Sequence, residues 1–197
     1  MIAQVTSRTY TPEEYLALEI ASETRNEYIN GAIIPMPGGM PNHNLIILNL
    51  ASILHFALKT QGYQVFVTDQ RLWIPDYKIY TYPDIMVISG NFMLQEGRKD
   101  TITNPVMVVE VLSESTANYD RGQKFQFYRS IPSLQEYLLV DQYSYSVQHY
   151  SKLNERKWEF QEYISPTEVI EFTAINSNLA VTDIYDRVEF EVNENGS

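Results

Sequence analysis

The chain has 197 residues, of which 44% are hydrophobic and 20% charged, so a single domain spanning residues 1–197 is expected. Its formal net charge of −11 opposes non-specific attraction to phosphate backbones and anionic membranes, which counts against a general nucleic-acid binder. Because it contains no cysteine, disulfides, thiolate metal sites and cysteine nucleophiles are excluded.

The N-terminal segment lacks the apolar core of a signal peptide, and the most apolar run, 45–58, is interrupted by Asn49, Ser52 and His55. We therefore expect neither export nor membrane insertion, and a cytoplasmic location by elimination. Residues 1–9 and 193–197 are expected to be tails.

The first half of the chain predicts two helices and a hairpin. The segment TPEE at 11–14 has the residues of a capping box and predicts the start of a short helix. Residues 27–36 predict a strand pair turned at Asn30-Gly31, followed by a glycine-rich loop. From 44 to 59 apolar residues nearly encircle the helix axis, which predicts a deeply buried central helix.

The rest of the chain reads mainly as strands, because runs rich in β-branched and aromatic residues are separated by turn signals. The runs predicted to form the main sheet are 63–69, 71–75, 84–89 and 106–113. A helix is predicted at 120–130, four short strands at 136–142, 146–151, 157–164 and 169–173, and a short helix within 179–188. The fold class is therefore α/β, with a sheet flanked by helices and an additional C-terminal β-meander.

Two carboxylates interrupt apolar strands. Glu110 lies inside the run 106–112, and strand alternation places it on the same face as Val108. Since an unpaired buried carboxylate is costly, Glu110 must be paired, protonated or bound to a metal. Asp84 opens another apolar strand, and two such acids at one sheet edge would suit Mg²⁺ or Mn²⁺ better than zinc.

A metal held by these acids could support phosphodiester cleavage if a nearby cation offset the developing charge. Leu112 occupies the position two residues after Glu110 where a lysine is usual. Lys124, on the following helix, is the candidate replacement, and Asp120 four residues earlier could hold it in place.

Six segments occur in the order NEYINGAI, GGMPNHNLI, YPDIMVIS, PVMVVEVLSEST, YDRGQKFQFYR and IPSLQEYLLVDQ. This order resembles the Uma2 family of restriction-endonuclease-like proteins, over residues 10 to about 185. The resemblance implies the fold of the PD-(D/E)XK nuclease superfamily, a mixed sheet flanked by helices with a divalent metal where the sheet splits. It also implies metal-dependent hydrolysis of DNA.

The resemblance further implies roles for four residues. Asp84 and Glu110 would be the motif acids that bind Mg²⁺ or Mn²⁺, and Lys124 would be the motif lysine, moved to the next helix. Glu27 would add a carboxylate directed toward the metal.

Structural interpretations stand beside these roles. Asp84 could cap a strand start or a turn, and Glu110 could form a buried ion pair with Arg121 or Lys124. Lys124 could be a solvated helix lysine, or one whose stem lies on apolar surface while its amine reaches water. The aromatic residues between 143 and 158 are interpreted as sheet packing.

Glu27 could equally lie on the surface near Arg25. His43 follows the glycine-rich loop, where it is either a substrate contact or general base, or an N-terminal helix residue that caps or hydrogen-bonds the loop.

The sequence therefore supports two hypotheses. The first is a metal-dependent DNA endonuclease, acting as a homodimer if it cuts both strands. The alternative is a non-catalytic interaction or scaffold protein that keeps the nuclease fold, favoured by the acidic charge and the lack of a basic stripe.

Overall fold

The structure is a computed structural model that describes residues 8–36 and 38–190. The predicted tails fall mostly outside the described residues, which exclude 1–7 and 191–197. Arg8, predicted to lie in the first tail, pairs with Glu14 at 3.1 Å. Among the described residues, no helix has the length and apolarity needed to cross a membrane.

The helices largely follow the predicted pattern. They are α1 (Pro12–Ala21), α2 (Pro41–Leu58), a 3₁₀ turn (Pro75–Tyr77), α3 (Ala117–Tyr119), a π-helical turn (Asp120–Lys124), α4 (Phe125–Tyr128) and α5 (Val181–Ile184). The predicted capping box of α1 is confirmed, since the side chain of Thr11 accepts from the Glu14 amide and that of Glu14 accepts from the Thr11 amide. α3, the π turn and α4 follow one another directly, so the predicted 120–130 helix begins earlier, at Ala117.

The described residues form thirteen strands in three sheets. The strands are β1 (Asn26–Ile29), β2 (Ala32–Pro35), β3 (Tyr63–Val67), β4 (Arg71–Ile74), β5 (Ile79–Thr81), β6 (Ile85–Ser89), β7 (Thr101–Ile102), β8 (Met107–Leu112), β9 (Glu136–Asp141), β10 (Val147–Asn154), β11 (Lys157–Tyr163), β12 (Val169–Phe172) and β13 (Ser177–Ala180).

The largest sheet has the order β11-β10-β9-β8-β6-β3 and is mixed, because β8 and β9 run parallel while the other pairs are antiparallel. β9, β10 and β11 form the predicted C-terminal meander and extend this sheet at one edge. β12 does not join the meander, since it pairs with β13 in a separate two-stranded sheet.

The second sheet has the order β2-β1-β5-β4-β7. Its β1–β2 hairpin turns at Asn30-Gly31 as predicted, with φ of 51° and 86° that suit a type I′ turn. The prediction that residues 71–75 belong to the main sheet is wrong. After β4 the 3₁₀ turn and the left-handed Lys78 (φ 52°) reverse the chain, so β4 pairs with β5 instead.

Strand β8 separates two hydrophobic clusters. Its odd-numbered residues, Met107 to Val111, pack with α2 and α5, whereas Val108 and Leu112 pack with α4 and the second sheet. The prediction of a deeply buried α2 is wrong on one side, because Leu48 and Phe56 are 60% and 66% exposed. The face of α2 toward β3, β8 and α5 is the one that contributes to the core.

Candidate active site

The five residues selected from the sequence line one cavity of about 400 Å³, at the start of β6 and near the end of β8. They are Glu27, His43, Asp84, Glu110 and Lys124. The loop between β2 and α2, the segment after β8 and the turn after β9 form the walls. Residues from both large sheets and two helical segments thus meet at this cavity.

Strand pairing brings the two acids to the same edge. β6 and β8 are antiparallel with Ile85 opposite Val109, so the next step of this register places Asp84 beside Glu110. Oδ2 of Asp84 accepts a hydrogen bond of 2.7 Å from the Val111 amide. This bond fits the strand-capping interpretation, while the side chain still faces the cavity and can offer its carboxylate to a ligand.

Glu110 is buried, and its contacts converge on one oxygen. Oε1 accepts a hydrogen bond of 2.6 Å from the Tyr128 hydroxyl and lies 2.9 Å from Nζ of Lys124. Burial raises the pKa of Glu110, and the charge of Lys124 opposes that rise. The predicted face is confirmed, since Val108 packs in the same cluster as Tyr128.

Lys124 is buried on the π turn, so the solvated-lysine interpretation is wrong. Its Nζ lies 3.5 Å from Oε1 of Glu27 and 3.5 Å from Oδ1 of Asp120, in addition to Glu110. Burial acts to lower the pKa of Lys124, but Glu110 and the other carboxylates hold it well above its ordinary value. The amine therefore stays charged. π turns recur at functional sites, and here Asp120 and Lys124 both face the cluster.

Glu27 also belongs to the buried cluster. Its Oε1 accepts a hydrogen bond from Thr81 Oγ1, and the residue is 8% exposed. Arg25 pairs with Asp69 at 3.5 Å instead, so the surface interpretation of Glu27 is wrong. Because Glu27 contacts Lys124, it supports the lysine directly.

His43 is the third residue of α2, and its Nε2 lies 3.4 Å from Oδ2 of Asp84. Burial acts to lower the pKa of His43, but Asp84, Asn44 and the Val111 backbone together raise it. Among the described residues, α2 has no side-chain cap, so His43 does not fill the capping role considered from the sequence.

Three further residues shape the site without having been given functional roles from the sequence. Tyr128 donates to Glu110, and its position four residues after Lys124 on one helical segment was the available signal. Thr81 donates a hydrogen bond to Glu27, and no sequence pattern indicated this contact. Tyr143, predicted to pack in the sheet, is 50% exposed and lines the cavity.

The donor chemistry fits a hard divalent cation. Within the described chain, no group of three or more His, Asp and Glu side chains is already arranged to hold a metal ion. Mg²⁺, however, is commonly bound by one or two carboxylates and keeps several waters. Asp84 and Glu110 could provide the two carboxylates. Among the described lining residues are five carboxylates and a single lysine, so the cavity attracts cations.

Comparisons with known proteins agree with this architecture. Residues 12–182 match the model of the Uma2 family, described as "Putative restriction endonuclease". Two uncharacterized proteins of Synechocystis sp. are similar: sll1609 is 42% identical, covering 88% of this chain and 98% of the relative, and slr1290 is 36% identical, covering 91% and 93%.

A crystal structure from Anabaena variabilis, described as a "putative nuclease belonging to DUF820", superposes with a TM-score of 0.73 at 21% identity. The alignment covers 89% of this chain and 97% of that chain. The predicted restriction endonuclease-like fold is thereby confirmed. Since the family model spans most of the chain, the resemblance found in the sequence motifs is confirmed as well, and the chain belongs to the Uma2 family.

Proposed function

We propose that this protein is a divalent-metal-dependent nuclease that hydrolyses phosphodiester bonds in DNA. The observation that carries the proposal is the convergence of Asp84, Glu110 and Lys124 on one cavity, from β-strand edges and the π turn. Family membership and the likeness to a protein described as a nuclease support it.

The metal would be Mg²⁺ or Mn²⁺, held by the carboxylates of Asp84 and Glu110. When bound, it would lower the pKa of a coordinated water and neutralise charge on the phosphate. The acidic lining explains why the cation is required, since five carboxylates would otherwise repel the substrate.

The buried ammonium of Lys124 would orient the attacking water or offset negative charge in the transition state. Glu27 and Asp120 act through Lys124, because each lies 3.5 Å from Nζ. They are positioning residues that keep the amine charged and directed toward the cavity. This assigns Glu27 a role beside the lysine rather than in the metal shell.

A protein that cuts both strands of DNA would act as a homodimer, since each copy would contribute one set of Asp84, Glu110 and Lys124. Action on DNA agrees with the cytoplasmic location expected from the sequence. Light scattering at micromolar concentration tests the oligomeric state directly.

The test is cleavage of single-stranded, duplex and branched DNA with Mg²⁺ or Mn²⁺. We expect cleavage by the natural protein, its abolition by chelator, and losses of at least about a hundredfold in Asp84→Asn, Glu110→Gln and Lys124→Met. Asp183→Asn, an exposed change outside the cavity, serves as the matched control. Equal cleavage by Glu110→Gln would overturn the mechanism.

A non-catalytic scaffold is the second candidate, favoured by one observation. Lys124 is surrounded by three acidic side chains, so its charge is already balanced in the absence of a metal. Metal binding separates the two functions. Calorimetry showing binding that depends on Asp84 and Glu110 favours the nuclease, whereas indifference to metal favours the scaffold.

A further inference from the structure

The imidazole of His43 is mostly buried, and its contact with Asp84 is long. Its Nε2 lies 3.4 Å from Oδ2 of Asp84, which is beyond the usual N–H···O range of about 2.7–3.2 Å. Its Nδ1 is buried and has no partner within the described structure. Among the described residues, Nε2 is thus held only by this long contact, and it lines the cavity where it can take a ligand.

The chain makes room for this imidazole at Gly39. A Cβ at that position would lie 2.9 Å from Nδ1 of His43 and 2.8 Å from Oδ1 of Asn44, both closer than real Cβ contacts allow. At the neighbouring Gly38 a Cβ would meet nothing within 4 Å. Close packing against the glycine backbone, rather than hydrogen bonding, thus positions the ring.

Nε2 faces the side of the cavity where Asp84 presents its carboxylate. Two atoms that occupy neighbouring positions around one octahedral cation lie about 3 Å apart, given bonds of about 2.1 Å. The 3.4 Å between Nε2 and Oδ2 is close to that separation. Asn44 Oδ1 and His43 Nδ1 both border the space beside Gly39. Once Nε2 binds a metal, Nδ1 carries the proton and needs an acceptor, which Asn44 Oδ1 could supply.

We propose that His43 Nε2 is a ligand of the same divalent ion as Asp84, and that this site selects first-row transition metals such as Mn²⁺ over Mg²⁺. The proposal rests on the proposed function, which supplies the ion. Its physical basis is that imidazole nitrogen binds transition metals readily, whereas Mg²⁺ strongly prefers oxygen ligands. His43 would then be a ligand beside Asp84, and its role as a substrate contact or general base would be unnecessary.

The first experiment is pulsed electron paramagnetic resonance of the full chain loaded with Mn²⁺. We expect ¹⁴N coupling to the bound ion in the natural protein and its loss in His43→Gln and His43→Asn. The chain has three histidines, which makes the assignment tractable. His55→Gln, at an exposed site of α2, is the matched control and should keep the coupling.

The second experiment measures Mn²⁺ and Mg²⁺ affinity by calorimetry. We expect His43→Gln to weaken Mn²⁺ binding by about tenfold or more, in the range seen for disturbed metal sites, with a smaller effect on Mg²⁺. Circular dichroism and thermal unfolding check that the variants fold. If either His43→Gln or His43→Asn fails to fold, the other still tests the proposal.

The outcomes separate the two proposals. Metal binding that depends on Asp84 and Glu110, without ¹⁴N coupling and with an unchanged Mn²⁺-to-Mg²⁺ ratio, would overturn the His43 ligand and leave the nuclease intact. Coupling that survives in His43→Gln would also overturn it. The absence of saturable metal binding in the natural protein would reject the proposed function itself.

Discussion

Nζ of Lys124 lies 2.9 Å from Oε1 of Glu110, although one residue belongs to the π turn and the other to β8. Glu27 and Asp120 approach the same amine at 3.5 Å. Three buried acidic side chains therefore share one buried cation, and burial raises the pKa of both Glu110 and Asp120, so protons compete with the lysine for these groups. The site is therefore sensitive to loss of the lysine, to pH and to addition of a metal.

Replacing Lys124 with Met should destabilise the protein strongly. The change leaves Glu27, Glu110 and Asp120 buried without their cation, and breaking a buried ion pair costs about 3–5 kcal/mol in the free energy of unfolding. Urea denaturation at pH 7 with a chelator present measures this cost. Adding Mn²⁺ should recover part of the loss, because the ion replaces some of the missing positive charge.

Lys99→Met provides the control, since Lys99 is exposed and a surface change of this kind stays within about 0.5 kcal/mol. If Lys124→Met were as stable as Lys99→Met, the three acidic side chains would lose nothing with the lysine, and the ion-pair description of the cluster would be wrong.

The charge state of Glu110 gives a pH dependence with a definite sign. Burial raises the pKa of Glu110 above its ordinary value of 4.5. At a pH between these two values, Glu110 keeps its proton in the folded protein but has released it in the unfolded chain. Stability contributed by this group must therefore fall as the pH rises above 4.5 toward the raised value. Glu110→Gln, which resembles the protonated acid, should gain stability relative to the natural protein across that interval.

Denaturation of both proteins at several pH values between 4.5 and 8, in chelator, measures the difference. Mn²⁺ should reverse the trend in the natural protein alone, because only its carboxylate can release the proton to bind the ion. A difference that does not change with pH would show that Glu110 ionises normally in the fold.

Local sequence patterns predicted most elements of the fold. The capping box at Thr11, the Asn30-Gly31 turn and the alternation around Glu110 are each encoded within a few residues, and each is present. The assignment of residues 71–75 to the wrong sheet shows the limit. β-branched residues indicate a strand but carry no information on which strand it pairs with, and here the Pro75–Tyr77 turn decides the pairing.

Part of the candidate site could also be predicted from local sequence patterns. Carboxylates inside apolar strands are visible as interruptions, which identified Asp84 and Glu110, and helical spacing linked Lys124 to Asp120. Thr81, by contrast, meets Glu27 across 54 residues of chain, a contact that depends on the packing of strands. The exposed side of α2 was missed because periodicity cannot reveal that packing partners are absent.

Tyr128→Phe should weaken metal binding while changing the fold little. The hydroxyl donates to Oε1 of Glu110 at 2.6 Å, and its removal leaves Lys124 alone to fix the carboxylate. We expect a loss of roughly 1.5–3 kcal/mol in the free energy of unfolding, typical of a hydrogen bond to a charged group. Metal affinity, measured by calorimetry, should fall several-fold because Glu110 is less well oriented.

Tyr15→Phe is the matched control, since Tyr15 is also fully buried and its hydroxyl donates to the Asn26 carbonyl at 2.7 Å, outside the cavity. It should lower stability without changing metal affinity. Equal metal affinity in Tyr128→Phe and the natural protein would mean that Lys124 suffices to orient Glu110.

The paired variants Gly39→Ala and Gly38→Ala test how the glycine loop positions His43. A Cβ at Gly39 collides with Nδ1 of His43 and Oδ1 of Asn44, whereas one at Gly38 enters open space. Both clashing atoms belong to side chains, so the imidazole should move while the backbone of α2 stays in place. We expect both variants to unfold near the natural midpoint, with Mn²⁺ affinity reduced only in Gly39→Ala.

The pair is informative because the two changes add the same methyl group to adjacent residues. Any general effect of alanine on the loop, such as a reduced entropy of the unfolded chain, is common to both and cancels in the comparison. A loss of Mn²⁺ affinity in Gly39→Ala matching that of His43→Gln would show that ring position, and not only the presence of an imidazole, determines binding. Equal affinity in both glycine variants would instead mean that the loop yields to the added methyl and does not hold the ring.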